Sequence, residues 1–267
     1  MRIPMSHVLT LIAAAFLAAP LAAEEASQPA PKQEVDCNKC HTGLTVRLKV
    51  VHAAMQMGCP ACHSGIDDAL KVPHKKTTTF AKGLSADQPE VCYGCHDKAK
   101  FTMKVVHGAI GMGCTSCHNP HASANEKLLP APVPDLCFMC HDKAGFTRKN
   151  IHPPVESGMC LSCHSPHSSD QQGLLLKPAH EVCFECHDNV SKTPHAISGF
   201  SKTGHPLGIP KQERKGKDRR APVKDPKREG KNFTCASCHN PHSSDSPRLF
   251  RYPAKSPMEL CNNCHAK

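Results

Sequence analysis

The sequence has few of the large side chains from which most proteins build a core. Its 267 residues include no tryptophan, two tyrosines and nine phenylalanines, so aromatic residues make up only 4% of the chain. The apolar stretch near the N-terminus is too short to predict a membrane-spanning helix, and no later run is long enough. The chain has 24 prolines, and no stretch alternates long enough to predict a large sheet. Such a chain cannot fill its interior with its own side chains.

What the chain does have is one motif, Cys-x-x-Cys-His, repeated nine times and using all 18 cysteines. The motif is typical of c-type haem attachment. Two intervening residues make a tight turn that brings both thiols to one porphyrin edge, and the next histidine lies under the iron. The nine motifs, with thioether cysteines first and the proximal histidine last, are Cys37, Cys40, His41; Cys59, Cys62, His63; Cys92, Cys95, His96; Cys114, Cys117, His118; Cys137, Cys140, His141; Cys160, Cys163, His164; Cys183, Cys186, His187; Cys235, Cys238, His239; and Cys261, Cys264, His265.

Two other uses of the cysteines stay open at this point. Zinc sites need closed sets of four ligands, which nine identical units fit poorly. A disulfide framework gives no reason for a histidine after every second cysteine. We therefore predict nine covalently bound c-type haems whose porphyrins form the core, each stabilising by about 25 cal/mol per Å² of apolar area buried. The expected fold is mostly irregular, with short α-helices and little or no β-sheet.

The N-terminus has the pattern of a secretory signal, with a charged residue, an apolar alanine-rich run and small residues before two glutamates. The motif starts that follow are separated by 22, 33, 22, 23, 23, 23, 52 and 26 residues, which indicates a two-haem repeat. We predict a signal peptide over 1–23, a flexible lead-in over 24–33, and segments over 34–86 (haems 1 and 2), 87–131 (haems 3 and 4), 132–178 (haems 5 and 6), 179–247 (haems 7 and 8) and 248–267 (haem 9).

Ten further histidines outside the signal segment are candidate distal ligands. Three of them lie 11 residues after a proximal histidine, and three more end a Cys-His-x-Pro-His sequence. Ten candidates for nine irons predict two histidines on every iron, and nearby methionines are the weaker alternative. His121 follows His118 too closely to reach the same iron, so we expect it to reach a neighbouring haem. The ten candidates are His52, His74, His107, His121, His152, His167, His180, His195, His205 and His242.

The formal charge of +10 is concentrated in an insert over residues 211–231. This insert is expected to be a solvated loop or a docking arm for an acidic partner or membrane surface. Nine ferric haems with two propionates each would bring the total charge near zero. The basic pI therefore does not predict a nucleic-acid partner.

The paired motifs resemble the doubled-CXXCH family of multihaem c-type cytochromes, related to the cytochrome c3/c7 group of metal-reducing bacteria. The resemblance covers about Cys37 to His265 and is carried by Cys92–His121, Cys137–His167 and Cys183–His242. The chain is also similar to the periplasmic decahaem subunits of porin–cytochrome conduits, although it has nine motifs. The resemblance implies electron transfer between periplasmic or inner-membrane donors and outer-membrane or terminal-reductase acceptors, with a porin as a further partner.

The expected function is therefore a periplasmic electron carrier with no catalytic residues. A multihaem reductase of the nitrite or hydroxylamine type is the competing class, and it needs an iron with an open position. A structural subunit of a conduit or cytochrome filament is the third, which the sequence does not separate from a free carrier.

Overall fold

Short helical turns joined by irregular backbone make up most of the protein. The computed structural model describes residues 35–44, 48–67, 70–191, 195, 205 and 223–265. The predicted signal peptide, the lead-in and residues 211–222 of the basic insert lie outside these residues. Among the described residues, no helix is long and apolar enough to cross a membrane.

The α-helices have four to six residues, and five of the six in the described residues contain the first cysteine of a Cys-x-x-Cys-His motif. In all nine motifs the histidine N–H donates to the carbonyl of the first cysteine at 2.9–3.1 Å. One turn of helix therefore aligns the two thiols and the imidazole. The α-helices are α1 (Glu90–Tyr93), α2 (Asp135–Phe138), α3 (Pro153–Glu156), α4 (Ala179–Phe184), α5 (Cys235–Cys238) and α6 (Pro257–Cys261).

Helices of the 3-10 type are more numerous than α-helices in the described residues, and four of them begin at the first cysteine of a motif. They are Cys37–Lys39, Ala53–Met57, Cys59–Ala61, Ala81–Gly83, Lys98–Phe101, Gly108–Met112, Cys114–Ser116, Glu126–Leu128, Lys143–Phe146, Cys160–Ser162, Gln172–Leu174, Asp188–Ser191 and Pro247–Leu249.

Three antiparallel ladders of two-residue strands connect parts of the chain that are far apart in sequence. Strand β1 (Val50–Val51) pairs with β3 (Ala122–Ser123), β2 (Val105–Val106) with β5 (Ser168–Ser169), and β4 (Asn150–Ile151) with β6 (Ser243–Ser244). In each ladder one strand ends just before a histidine and the other begins just after one. The ladders therefore place these two histidines side by side.

The described residues contain almost no apolar core. Only Ala122, Phe250 and Ala254 are buried apolar residues, whereas buried serines are more numerous. The Ser168 hydroxyl donates to the Lys100 carbonyl at 2.8 Å, and the Ser243 hydroxyl donates to the Gly145 carbonyl at 2.9 Å. These buried hydroxyls connect two backbone segments by hydrogen bonds, at positions where most proteins have apolar side chains. The prediction of a mostly irregular chain with short helices and little sheet is confirmed, whereas the segment boundaries stay a prediction.

Candidate functional site

Each histidine that ends a motif lies opposite one other histidine. The two ring centroids are 5.9–6.3 Å apart in every pair. The angle between the ring planes, in contrast, varies from 9° to 68°. Ring stacking is therefore not what the pairs share. The pairs are His41–His74, His63–His121, His96–His52, His118–His167, His141–His107, His164–His242, His187–His152, His239–His195 and His265–His205.

This spacing fits two imidazoles on opposite sides of one metal ion. A metal–imidazole bond is about 2 Å long, as for zinc. Adding the distance from each nitrogen to its ring centre gives a centroid separation of roughly 6 Å. Rotation of either ring about the metal–nitrogen bond changes the angle between planes and leaves this separation unchanged. The residues present therefore fit a haem iron held from both faces.

The pairs connect neighbouring units in a regular alternation. His52, His107 and His152 lie opposite the proximal histidine of the next unit along the chain. His121, His167 and His242 lie opposite a proximal histidine of the preceding unit. His121 thus faces His63 and not His118, which lies three residues before it in the sequence.

The three ladders explain why these six histidines meet their partners. The N–H of His52 donates to the His121 carbonyl at 2.8 Å, and the Nδ1 of the same ring lies 2.8 Å from the Pro120 carbonyl. The pattern recurs at His107 with His167 and Pro166, and at His152 with His242 and Pro241. In each ladder, the imidazole of a histidine in one unit therefore lies against a proline carbonyl in the next unit.

Burial disfavours the protonated form of four of the ladder histidines. Burial first, and then the nearby His164 and Arg251, lower the pKa of His242 to about 4. Burial also lowers the pKa of His121, His152 and His167. Imidazole must be neutral to bind a metal, so these rings are prepared for coordination at neutral pH.

Two phenylalanines cover distal rings at equivalent positions of successive units. The ring centroid of Phe101 lies 4.8 Å from that of His167, and the centroid of Phe146 lies 4.7 Å from that of His242. Each follows a proximal histidine by five residues, a repeat in the sequence that could have indicated this role. Each phenylalanine ring therefore covers part of one side of the imidazole that it contacts.

The first cysteines of the two motifs in each predicted pair are neighbours. Burial and a hydrogen bond with Cys114 raise the pKa of the Cys92 thiol to about 11. The same contact joins Cys37 to Cys59, Cys137 to Cys160 and Cys183 to Cys235. Attachment points of two consecutive motifs are thereby held together.

His180 is the distal candidate that the structure does not bring to a proximal histidine. Its ring centroid is 6.3 Å from that of Phe184, and its Nε2 is 3.8 Å from a carboxylate oxygen of Glu181. Each of the nine proximal histidines has another partner, so His180 is the extra one among the ten candidates.

The described end of the basic insert, residues 223–231, is fixed by a buried carboxylate. Arg228 Nε lies 2.7 Å from Asp225 Oδ2, and a second Arg228 nitrogen donates to the Ser237 hydroxyl at 3.2 Å. Burial alone would raise the pKa of Asp225, but hydrogen bonds from Ser237, Arg228 and the Lys227 N–H lower it. The cluster attaches the insert to α5, within the eighth motif.

Comparison with known families gives four matches along the chain to the doubled CXXCH motif family, over residues 52–101, 107–146, 152–192 and 225–267. The matched segments cover more than half of the chain. Each groups the second motif of one predicted pair with the motif that follows it. A search of curated proteins found no match. The chain belongs to the doubled-CXXCH family of multihaem c-type cytochromes and binds roughly eight or more haems covalently.

Proposed function

We propose that this protein is a periplasmic nonahaem cytochrome that transfers electrons along a chain of bis-histidine haems between redox partners. The observation that carries the proposal is the set of nine imidazole pairs with nearly constant separation. In each site the two cysteines of a motif would hold the porphyrin by thioether bonds. The motif histidine and its opposite partner would bind the iron.

The haem supplies one-electron chemistry, because its iron changes oxidation state without binding substrate. The motif turns and the ladders hold the two imidazoles of each pair in place, and these imidazoles would bind the iron from both sides. They leave no position for a substrate at the iron, which is what distinguishes a carrier from a reductase. The neighbouring first cysteines and the paired distal histidines would keep consecutive haems close enough for electrons to pass between them.

The cellular setting is part of the same proposal. The N-terminal pattern supports export, and c-type haem is attached outside the bacterial cytoplasm. The partners would be periplasmic or inner-membrane donors and outer-membrane or terminal-reductase acceptors in anaerobic respiration or extracellular electron transfer. Nearly neutral total charge in the ferric state argues for specific docking rather than broad electrostatic attraction.

The proposal is tested by counting haems and by searching for catalysis in the same preparation of the full chain. We expect nine haems per chain, reversible voltammetry on an electrode, and no turnover of nitrite or hydroxylamine. Copurification with an inner-membrane donor or an outer-membrane barrel would identify the position in the electron-transfer sequence. Substantial turnover, or cyanide binding by an iron of the native protein, would overturn the carrier function in favour of a reductase.

A further inference from the structure

Four left-handed turns stand at equivalent places in successive units. Each consists of two consecutive residues with φ between +54° and +70°. The turns are Lys82-Gly83, Lys127-Leu128, Gly173-Leu174 and Arg248-Leu249. Among the described residues, every non-glycine residue with positive φ belongs to one of them. The left-handed conformation is unfavourable for lysine, arginine and especially leucine, so its repetition requires a reason.

The first carbonyl of each turn faces the proximal histidine of the second motif. Nδ1 of His118 lies 2.7 Å from the Lys127 oxygen, and Nδ1 of His164 lies 2.8 Å from the Gly173 oxygen. The equivalent distances are 3.0 Å from His63 to Lys82 and 2.8 Å from His239 to Arg248. With Nδ1 donating a proton to this carbonyl, Nε2 is the nitrogen left to bind a metal.

The second carbonyl of each turn holds the backbone just beyond that histidine. The Asn119 N–H donates to the Leu128 oxygen at 2.8 Å, and the Ser165 N–H donates to the Leu174 oxygen at 2.7 Å. Asn240 makes the equivalent bond to Leu249, and Gly65, two residues after His63, donates to the Gly83 oxygen. Two left-handed residues in succession aim both carbonyls at the same segment, and a right-handed turn would point them elsewhere. The turn therefore makes hydrogen bonds both to the imidazole and to the backbone that follows it.

The first motifs of the regular units use the opposite arrangement. The rings of His96, His141 and His187 make no Nδ1 hydrogen bond to a described residue. Their partners His52, His107 and His152 carry that bond instead, to the proline carbonyls in the ladders. In each of the six ladder pairs one ring makes an Nδ1 hydrogen bond to a backbone carbonyl, and this ring is the motif histidine in three pairs and its partner in the other three.

We infer that the left-handed turns are positioning elements that orient the second-motif proximal histidines and strengthen them as iron ligands. The inference rests on the proposed haem coordination. A carbonyl at Nδ1 makes an imidazole a stronger electron donor, which favours ferric iron and lowers the potential of that haem. Leu128, Leu174 and Leu249 would act here through their backbone carbonyls, which accept from the residue after each proximal histidine.

The test compares Leu128→Pro with Leu128→Gly in the full-length holoprotein. Proline locks φ near −65° and excludes the turn, whereas glycine adopts positive φ freely and removes only the side chain. We expect Leu128→Pro to raise the potential of one haem and to change one low-spin component of the EPR spectrum, which reports the angle between imidazole planes. Leu128→Gly should keep the wild-type spectrum. Equal spectra and potentials in both variants would overturn the inference.

A second series remains informative if Leu128→Pro does not fold. In Lys127→Gly the left-handed turn can still form, because glycine adopts positive φ without strain. In Lys127→Val the turn is disfavoured, because a β-branched residue is strained at positive φ. In the reduced, diamagnetic protein, exchange of the His118 Nδ1 proton with water should be about tenfold faster in Lys127→Val than in Lys127→Gly, as expected for loss of a net hydrogen bond. Identical exchange rates would contradict the inference.

The number of haems per chain distinguishes failure of the role inferred for the turns from failure of the proposed function. Nine low-spin haems in the wild type with unchanged Leu128 and Lys127 variants would reject only the role of the turn. Fewer haems, or high-spin iron in the wild type, would reject the proposed function itself.

Discussion

The middle of the chain and its two ends hold their imidazoles by different means. In the middle, three ladders fix six pairs, and each ladder joins histidines about 60 to 90 residues apart in sequence. At the N-terminal end, His74 has no ladder, and its Nδ1 lies 2.8 Å from the carbonyl of Lys71, three residues earlier. At the C-terminal end, Asp225 and Arg228 brace the eighth motif. Each ladder is built from one strand of each of two neighbouring units. Histidines at the ends of the chain have a neighbouring unit on one side only, so their positions depend on local contacts.

The largest expected effect comes from removing a distal ligand in the middle. His121→Ala should convert one iron from low-spin to high-spin and let it bind cyanide. It should also disturb a second site, because His52 is held by the Pro120 carbonyl next to His121. EPR and cyanide titration would measure both effects. His74→Ala is the matched change at the end of the chain and should affect one iron only. Equal effects of the two variants would contradict the difference between middle and end.

The next largest effect is expected at the C-terminal end, from Asp225→Asn. The change removes a buried charge partner of Arg228 and should cost about 1–3 kcal/mol of unfolding free energy. Because the folded-state pKa of Asp225 is lowered, its contribution is present above the unfolded value of about 3.9 and is lost as pH falls through the folded pKa. Denaturant titrations should therefore show a constant difference between wild type and variant near neutrality, which narrows below about pH 4. A difference that does not change over this range would contradict the assigned role.

A smaller effect is expected within the ladders. The Ser243 side chain is fully buried, its hydroxyl donates to Gly145, and it accepts from the Arg148 N–H at 3.2 Å. Ser243→Ala leaves both backbone groups without this partner and should cost about 1–2 kcal/mol. Ser85→Ala, at an exposed serine, is the control and should stay within about 0.5 kcal/mol of wild type. Chemical denaturation followed in the haem absorption band would compare the two, and equal stabilities would contradict the ladder's dependence on its buried hydroxyls.

The smallest effect is expected at the extra histidine. His180→Ala removes a ring that packs on Phe184 and lies opposite no proximal histidine. All low-spin iron should remain, and no site should gain cyanide binding. Appearance of a high-spin component would mean that His180 is a ligand and that one of the nine pairs is assigned wrongly.

The sequence indicated which histidines belong to the site better than it indicated which of them lie opposite each other. The motif count and the repeated offsets of His52, His107 and His152 indicated two rings per iron before any fold was known. The partners of these rings could not be predicted, because they depend on two-residue strands such as β2 and β5 that have no detectable periodicity. The turn at Lys127-Leu128 was equally hidden, since lysine and leucine do not signal positive φ as glycine and asparagine do. Repetition was the remaining clue, because three of the turns begin nine residues after the proximal histidine that they face.

The central claim is that the protein has nine haems and that two histidines bind the iron of each. Spin quantitation by low-temperature EPR of the oxidised protein tests it most directly. The account predicts nine low-spin ferric centres per chain and no high-spin component. A count well below nine, or a high-spin signal from even one iron of the native protein, would contradict it.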